Sequence, residues 1–294
     1  MRMLRLRSEG EDVTKVKQKL LSLGMYDSHI VELKTSTFGK DTQRAVKLFQ
    51  AQNGLVADGI VGPLTYAALF PEEQPEVIVV PTSDIAGFPH QIGSKAASVI
   101  INELASVSDL RRRIVLDALQ FAYDPACPGP YPTSLYIRGG NLYNADLQPN
   151  VITIARIRRG AQRQPEYYDG GRQEMMELTV IANPLITGGD CSGGIVGLFR
   201  HAGVVKPNFD LSANGFAASS SYKYIEREQL LPGDLLHKSG HIGMYVGGGY
   251  AVEWMGGAYG CQLTKIDARR GWNFVKGKEE RFGAWTSYLR PKFY

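Results

Sequence analysis

The stretch PEEQPEVIVVPTSD, residues 71–84, constrains this chain most. Its three prolines fix φ and lack amide donors, so no helix runs through it, and its acidic cluster keeps it out of a core. It reads as a semi-rigid connection extending over 71–93. At 294 residues the chain is about twice the usual domain length, so two compact units are expected, one before and one after this linker. Hydrophobic residues at 44% and charged residues at 21% are globular values and exclude a mostly disordered or fibrous chain. Apolar runs such as Val77–Val80 and Ile114–Leu116 fall far short of the roughly 18 residues a membrane helix needs, so no membrane span is expected. The start, MRMLRLRSEGEDV, has basic residues with no apolar segment behind them and does not read as a secretory signal. A net charge of +4 carried by dispersed basic residues fits weak attraction to an anionic polymer, and no nucleic-acid partner is expected.

Before the linker, Gly39-x-x-Thr42-x-x-Ala45 recurs as Gly62-x-x-Thr65-x-x-Ala68, each copy following a hydrophobic residue and opening an apolar pattern of helical period. Thr42 and Thr65 are placed to satisfy first-turn amides, and Pro63 suits a helix start. Upstream, Asp12 is placed to cap a third helix in which Val13, Val16, Leu20 and Leu21 repeat and Gly24 marks the stop. Leu4-Arg5-Leu6, Gly10-x-Asp12-Val13, Leu20-x-x-Leu23-Gly24, Phe38-Gly39-x-x-Thr42, Phe49-Gln50 and Gly54-Leu55-x-x-Asp58-Gly59-x-Val61-Gly62-Pro63-x-Thr65 together resemble the peptidoglycan-binding domain of bacterial and phage wall hydrolases. The resemblance covers nearly all of residues 1–70 and implies a wall-anchoring role with peptidoglycan as partner.

Behind the linker, helices are expected from Ser94 to Val107 and, capped by Ser108 or Asp109, through Leu119 and Ala122. Three cysteines, Cys127, Cys191 and Cys261, are too few for a disulfide scaffold, and no pair has zinc spacing. Asp190-Cys191-Ser192-Gly193-Gly194 precedes an apolar set ending at His201, which places Cys191 at a helix start. Amides and dipole there stabilise a thiolate and can face an oxyanion, and the glycines are expected to leave the first turn open to substrate. Against this stands the plain reading of a cysteine buried as a small hydrophobe.

A thiol nucleophile needs a base. Gly240-His241-Ile242-Gly243-Met244-Tyr245-Val246 reads as a strand with His241, Gly243 and Tyr245 on one face, and Tyr250–Trp254 as the returning strand. With Gly247-Gly248-Gly249 as an odd-length loop, His241 and Glu253 fall on the same face, and Glu253 can fix the imidazole tautomer. His237 has the same parity and is the alternative base, whereas His90 and His201 have no comparable setting.

Asp190-Cys191-Ser192-Gly193, Leu231-Pro232-Gly233-Asp234-Leu235 and Gly240-His241-Ile242-Gly243-Met244-Tyr245-Val246-Gly247 resemble, in order and spacing, the NlpC-type family of papain-like cell-wall cysteine peptidases. The resemblance implies Cys191 as nucleophile, His241 as base and an orienting residue at Glu253, where the family more often has His, Asn or Gln. It also implies that Tyr136, in Tyr136-Ile137-Arg138-Gly139-Gly140, contacts substrate, with Tyr131 as rival, and that Asp190 and Ser192 help bind the acyl side. For Asp190 and Ser192 a cap and a first-turn hydroxyl are equally good readings.

Between Gly140 and Cys191 lie fifty residues where the family has about a dozen, so an insertion at about 141–189 is expected. It carries Arg156, Arg158, Arg159 and Arg163, then Glu166-Tyr167-Tyr168-Asp169 and a Met-rich stretch, and reads as a solvated face on a small packed helix or as a rim for anionic wall polymer.

The expected architecture is α+β: a small three-helix wall-binding domain over 1–70, the linker, and a papain-like NlpC-type domain over 94–294 with helices packed on an antiparallel sheet. The implied activity is that of a monomeric peptidoglycan hydrolase needing no metal or cofactor and acting on the cell wall, after phage-lysin-type release or loss of a leader. The resemblance favours the bond from γ-D-glutamate to the diamino acid. An N-acetylmuramoyl-L-alanine amidase or cross-bridge peptidase uses the same chemistry, and a transpeptidase or a non-catalytic wall binder stays open.

Overall fold

A computed structural model describes residues 3–26, 35–53, 55, 57–70 and 87–294. Most of the expected linker, 71–86, and Gly54 of the N-terminal motif lie outside the described residues. The chain divides into two compact units, Met1–Val79 and Val80–Tyr294.

The first unit holds helices α1 (Glu11–Ser22), α2 (Lys40–Gln52) and α3 (Pro63–Leu69). Val13, Val16 and Leu20 recur along one face of α1 and bury against Ala45, Val46 and Phe49 of α2, with Leu4 and Val61 paired across a short bridge beneath them. The capping differs from the sequence expectation. Gly10, Gly39 and Gly62 are the N-caps, and Asp12 lies inside the first turn of α1, where its Oδ1 accepts from Val13 N at 3.0 Å. Thr42 and Thr65 are buried, and the Thr65 hydroxyl accepts from Gln50 Nε2 at 3.0 Å. Gln50 is a polar hub: its amide nitrogen also donates to Asp58 Oδ1 at 2.7 Å and Ile60 O at 3.0 Å, and its oxygen accepts from Gly59 N at 2.8 Å. It thereby fixes the turn that leads into α3.

The second unit begins with helices α4 (Ser94–Leu104) and α5 (Asp109–Gln120), the latter capped by Ser108. Phe88 and Ile92 are already buried in its core, so the chain joins this unit before residue 94. Strand β1 (Leu135–Tyr136) pairs in parallel with β2 (Gly188–Gly189), and helices α6 (Ile154–Arg163) and α7 (Arg172–Ala182) lie between them, in the segment expected as an insertion. This segment has a core cluster of its own, in which Ile157 of α6 and Met175, Met176 and Val180 of α7 bury with Ile137, Ile152 and Tyr168. Arg158 of its outer face pairs with Glu177 in solvent.

Helix α8 (Cys191–His201) follows, then α9 (Ala213–Ala218), β3 (Tyr222–Ile225), β4 (Leu235–Lys238), β5 (His241–Gly247), β6 (Tyr250–Trp254), β7 (Cys261–Lys265), the hairpin of β8 (Arg270–Asn273) and β9 (Lys278–Arg281), and β10 (Ser287–Pro291). The main sheet is antiparallel in the order β3-β10-β4-β5-β6-β7. Ile242, Met244 and Val246 of β5 share one core with Ile195, Val196, Leu198 and Phe199 of α8, so the helix lies on the central strands. Tyr245 belongs to a second cluster with Trp285. The second unit thus joins helices to an antiparallel sheet, an α+β arrangement.

Alpha8 can lie this close because of its glycines. A Cβ on Gly193 would stand 1.9 Å from Gly140 O, and one on Gly194 would stand 2.2 Å from the Trp254 ring. The first turn is therefore filled by the 140–142 loop and Trp254 on these faces, not left open by the glycines as the sequence suggested.

Candidate active site

Cys191 opens α8, and its side chain is mostly buried. Asp190 caps the helix: its Oδ1 accepts from Gly193 N at 2.8 Å and from the Ser192 hydroxyl at 3.0 Å, and its Oδ2 accepts from Gly139 N at 2.9 Å. Both residues have the local roles that the sequence reading weighed against substrate binding, and the Asp190 carboxylate ties the helix start to the loop after β1.

The Cys191 thiol donates to Gly240 O at 3.9 Å, one residue before His241. Burial pushes this thiol up to about 11 and the adjacent Asp190 carboxylate adds to the rise, while amides of Ile242, Ser192 and Cys191 itself oppose it. The helix-start effect expected from sequence is real but smaller than desolvation, so the resting group is a thiol and not a thiolate. Tyr136 is brought beside it by the β1-β2 pairing, which sets Tyr136 opposite Gly189. Its phenol is held well above the ordinary range, chiefly by burial and also by the nearby Asp190 carboxylate, and it hydrogen-bonds Arg138. Tyr131 lies five residues upstream in the lead-in to β1. Arg138 in turn sits 4.9 Å over the ring of Tyr167, so the lobe of α6 and α7 borders the neighbourhood of Cys191.

His241 starts β5, and its Nε2 lies 2.7 Å from Glu253 Oε2 on β6. Register explains the contact. Met244 pairs with Val252 and Tyr245 with Ala251, but Gly247 pairs with Tyr250, so Val246 is an extra residue in a β-bulge. The loop is only Gly248-Gly249, both with positive φ as a tight hairpin demands, and the bulge supplies the odd residue assigned to a three-glycine loop on sequence grounds. His241 and Glu253 consequently face the same side on neighbouring pairs.

Glu253 is fully buried. Its Oε1 accepts from Thr264 Oγ1 at 2.6 Å and Arg269 Nε at 2.8 Å, and its Oε2 accepts from Arg269 Nη2 at 2.5 Å besides His241. Burial alone would raise this carboxyl, but the hydrogen bonds and charges of Arg269 and His241 overcome it and hold the group at about 2. An ionised carboxylate only accepts, so His241 carries its proton on Nε2 when neutral, leaving the Nδ1 lone pair for proton capture. The Trp285 ring stacks on His241 with centroids 5.5 Å apart, and it covers Gly243, where a Cβ would stand 3.1 Å from the indole.

His237, the alternative base, has both nitrogens engaged: Nδ1 with the Ser287 hydroxyl at 3.0 Å and Nε2 with Asn214 Oδ1 at 3.2 Å. Asn214 Oδ1 also accepts from Gly240 N at 2.8 Å, so His237 and Asn214 brace the turn that presents His241. His201 pairs with Asp117 at 2.8 Å and stacks on Tyr143, and His90 is exposed at the edge of the second unit. Cys127 and Cys261 are free thiols, as is Cys191. Among the described residues no group of three or more His, Cys, Asp or Glu side chains is arranged to hold a metal ion, and no helix is long and apolar enough to cross a membrane.

Sequence reasoning missed Arg269, Trp285 and Asn214. The one available signal was parity: a carboxylate turned inward on β6 needs a buried cation, and Arg269-Arg270 follow β7 closely enough to supply it.

Protein disulfide isomerase pTAC5 of the Arabidopsis thaliana chloroplast is 36% identical over 75 residues, 26% of this chain and 19% of that protein, so most of that relative's length is unmatched. The crystal structure of Burkholderia AP3 phage endolysin aligns with 56% of this chain and 52% of its own at 20% identity, and a TM-score of 0.22 is too low to establish a common fold. Residues 9–69 match the family model described as "Putative peptidoglycan binding domain".

Proposed function

We propose that the chain is a peptidoglycan hydrolase: the first unit holds the wall, and the second, as a papain-like peptidase of the NlpC type, cuts an amide bond of the stem peptide. The family match over 9–69 supports the wall partner. The observation that carries the catalytic reading is the buried Glu253 holding His241 Nε2 at 2.7 Å, in the strand that follows the carbonyl bonded by the Cys191 thiol.

In this reading the thiol leaves Gly240 O and attacks the amide carbonyl as His241 Nδ1 takes its proton. Amides at the start of α8 hold the developing oxyanion, and the imidazolium then protonates the departing amine. Water releases the acyl group from Cys191 with His241 again as base. Tyr136, Asp190 and Ser192 line the acyl side; Asp190 uses three acceptor positions internally, which leaves a carboxylate lone pair for a peptide amine. The bond favoured is γ-D-glutamyl to diamino acid.

Digesting purified sacculi and identifying new termini by mass spectrometry tests the reading. New amino ends on the diamino acid support it, and ends on L-alanine or on a cross-bridge residue redirect it to an amidase or cross-bridge peptidase. New amide joins mark a transpeptidase, and no new ends reduce the protein to a wall binder.

A further inference from the structure

Arg269 lies in the segment between β7 and β8 and is 5% exposed. It grips Glu253 with Nε and Nη2, while its Nη1 donates to Gly283 O at 2.8 Å. Its guanidinium also sits 4.2 Å from the centre of the Trp285 ring, the ring that stacks on His241. One cation therefore touches both neighbours that fix the histidine, the carboxylate at Nε2 and the indole on the ring face.

The charge arithmetic gives this contact a function. A buried His241-Glu253 pair standing alone would carry a net negative charge once the imidazole is neutral, a state that burial penalises, so the pair would keep one proton to higher pH. With Arg269 present, Glu253 is neutralised independently of His241. Resting on the hydrolase reading above, we propose that Arg269 is a positioning residue of the site, which neutralises Glu253 and clamps Trp285 so that His241 stands oriented to act as base. The other charged or titratable groups around His241 are Cys191 at the start of α8, with Asp190 beside it, and His237 and Lys238 on β4. Lys238 is the register partner of His241, and His237 is itself pulled down by burial and by His241.

The test is an NMR titration of 13C-histidine-labelled full-length protein, with the His241 signal assigned from His241→Gln. Arg269→Gln should raise the His241 midpoint by at least about one pH unit, and the acid limb of sacculus cleavage should move up with it. Arg269→Lys, which keeps the charge but loses the fork, should leave the midpoint within a few tenths of wild type while lowering kcat. An unchanged or lower midpoint in Arg269→Gln overturns the proposal. Should Arg269→Gln fail to fold, Glu253→Gln is compared with the double variant Glu253→Gln/Arg269→Gln, which leaves no uncompensated buried charge: the His241 midpoint should be lower with Arg269 than without it, and equal midpoints overturn the proposal. Failure of the hydrolase reading would appear separately, as intact sacculi with the midpoints still moving.

Discussion

Replacing Glu253 by Gln keeps the side-chain shape and removes the charge, and its consequence for stability can be worked from the site. The carboxyl falls from an ordinary 4.5 to about 2 in the folded chain, a difference that corresponds to about 3 kcal/mol. Because the folded value is the lower one, this stabilisation is fully present above pH 4.5 and is lost as the pH falls toward 2. Glutamine would also leave Arg269 buried without a counter-charge, and breaking such a pair costs about 3–5 kcal/mol. All three tryptophans, Trp254, Trp272 and Trp285, lie in the second unit, so denaturant unfolding followed by their fluorescence reads that unit alone. At pH 7 Glu253→Gln should be less stable than wild type by about 3–5 kcal/mol. The gap should narrow by about 2 kcal/mol at pH 3, because wild-type Glu253 is then losing its own advantage. A gap under about 1 kcal/mol at pH 7, or one independent of pH, would refute the view that an ionised Glu253 is locked between Arg269 and His241.

Other consequences follow from named contacts. Iodoacetamide labelling of Cys191, located by peptide mass, should still be accelerating above pH 9, since burial holds the thiol near 11; a plateau by pH 7 would mean a preformed thiolate. Gly194→Ala should destabilise the second unit by about 1–3 kcal/mol or more, as the new methyl meets Trp254, and tryptophan fluorescence in denaturant checks it. Gln50→Leu leaves the Gly59 amide and the Asp58 carboxylate without their hub and should cost the first unit about 1–3 kcal/mol, read as faster amide exchange at Val16 and Leu20.

Local patterns were readable from the chain and long-range ones were not. The apolar periods of α1, α2 and α8, the strand carrying His241 and its return to Glu253 are set by neighbours a few residues apart, and they appear where periodicity put them. The N-cap of α1 falls two residues before Asp12, on Gly10, whose positive φ has no side-chain signature. The hairpin parity came out right through a different device, since the bulge at Val246 and a two-residue loop give the same face as a three-residue loop. Thiol acidity was read from the helix start alone, and burial, a property of the whole packed unit, outweighs it. Arg269 and Trp285 reach His241 from segments 28 and 44 residues further on, and only strand order brings them there. Neither the two-helix core of the segment expected as an insertion nor the approach of Tyr167 to Arg138 was legible in the sequence.

In the proposed reading Cys191 is the residue that cuts and the first unit is the part that holds the wall. The direct measurement is to incubate wild type and Cys191→Ala with purified sacculi and follow, in the same samples, soluble amino termini and co-sedimentation with the wall. New termini are expected from wild type, none above background from Cys191→Ala, and equal sedimentation of both; release of termini by Cys191→Ala at the wild-type rate would contradict this role for Cys191.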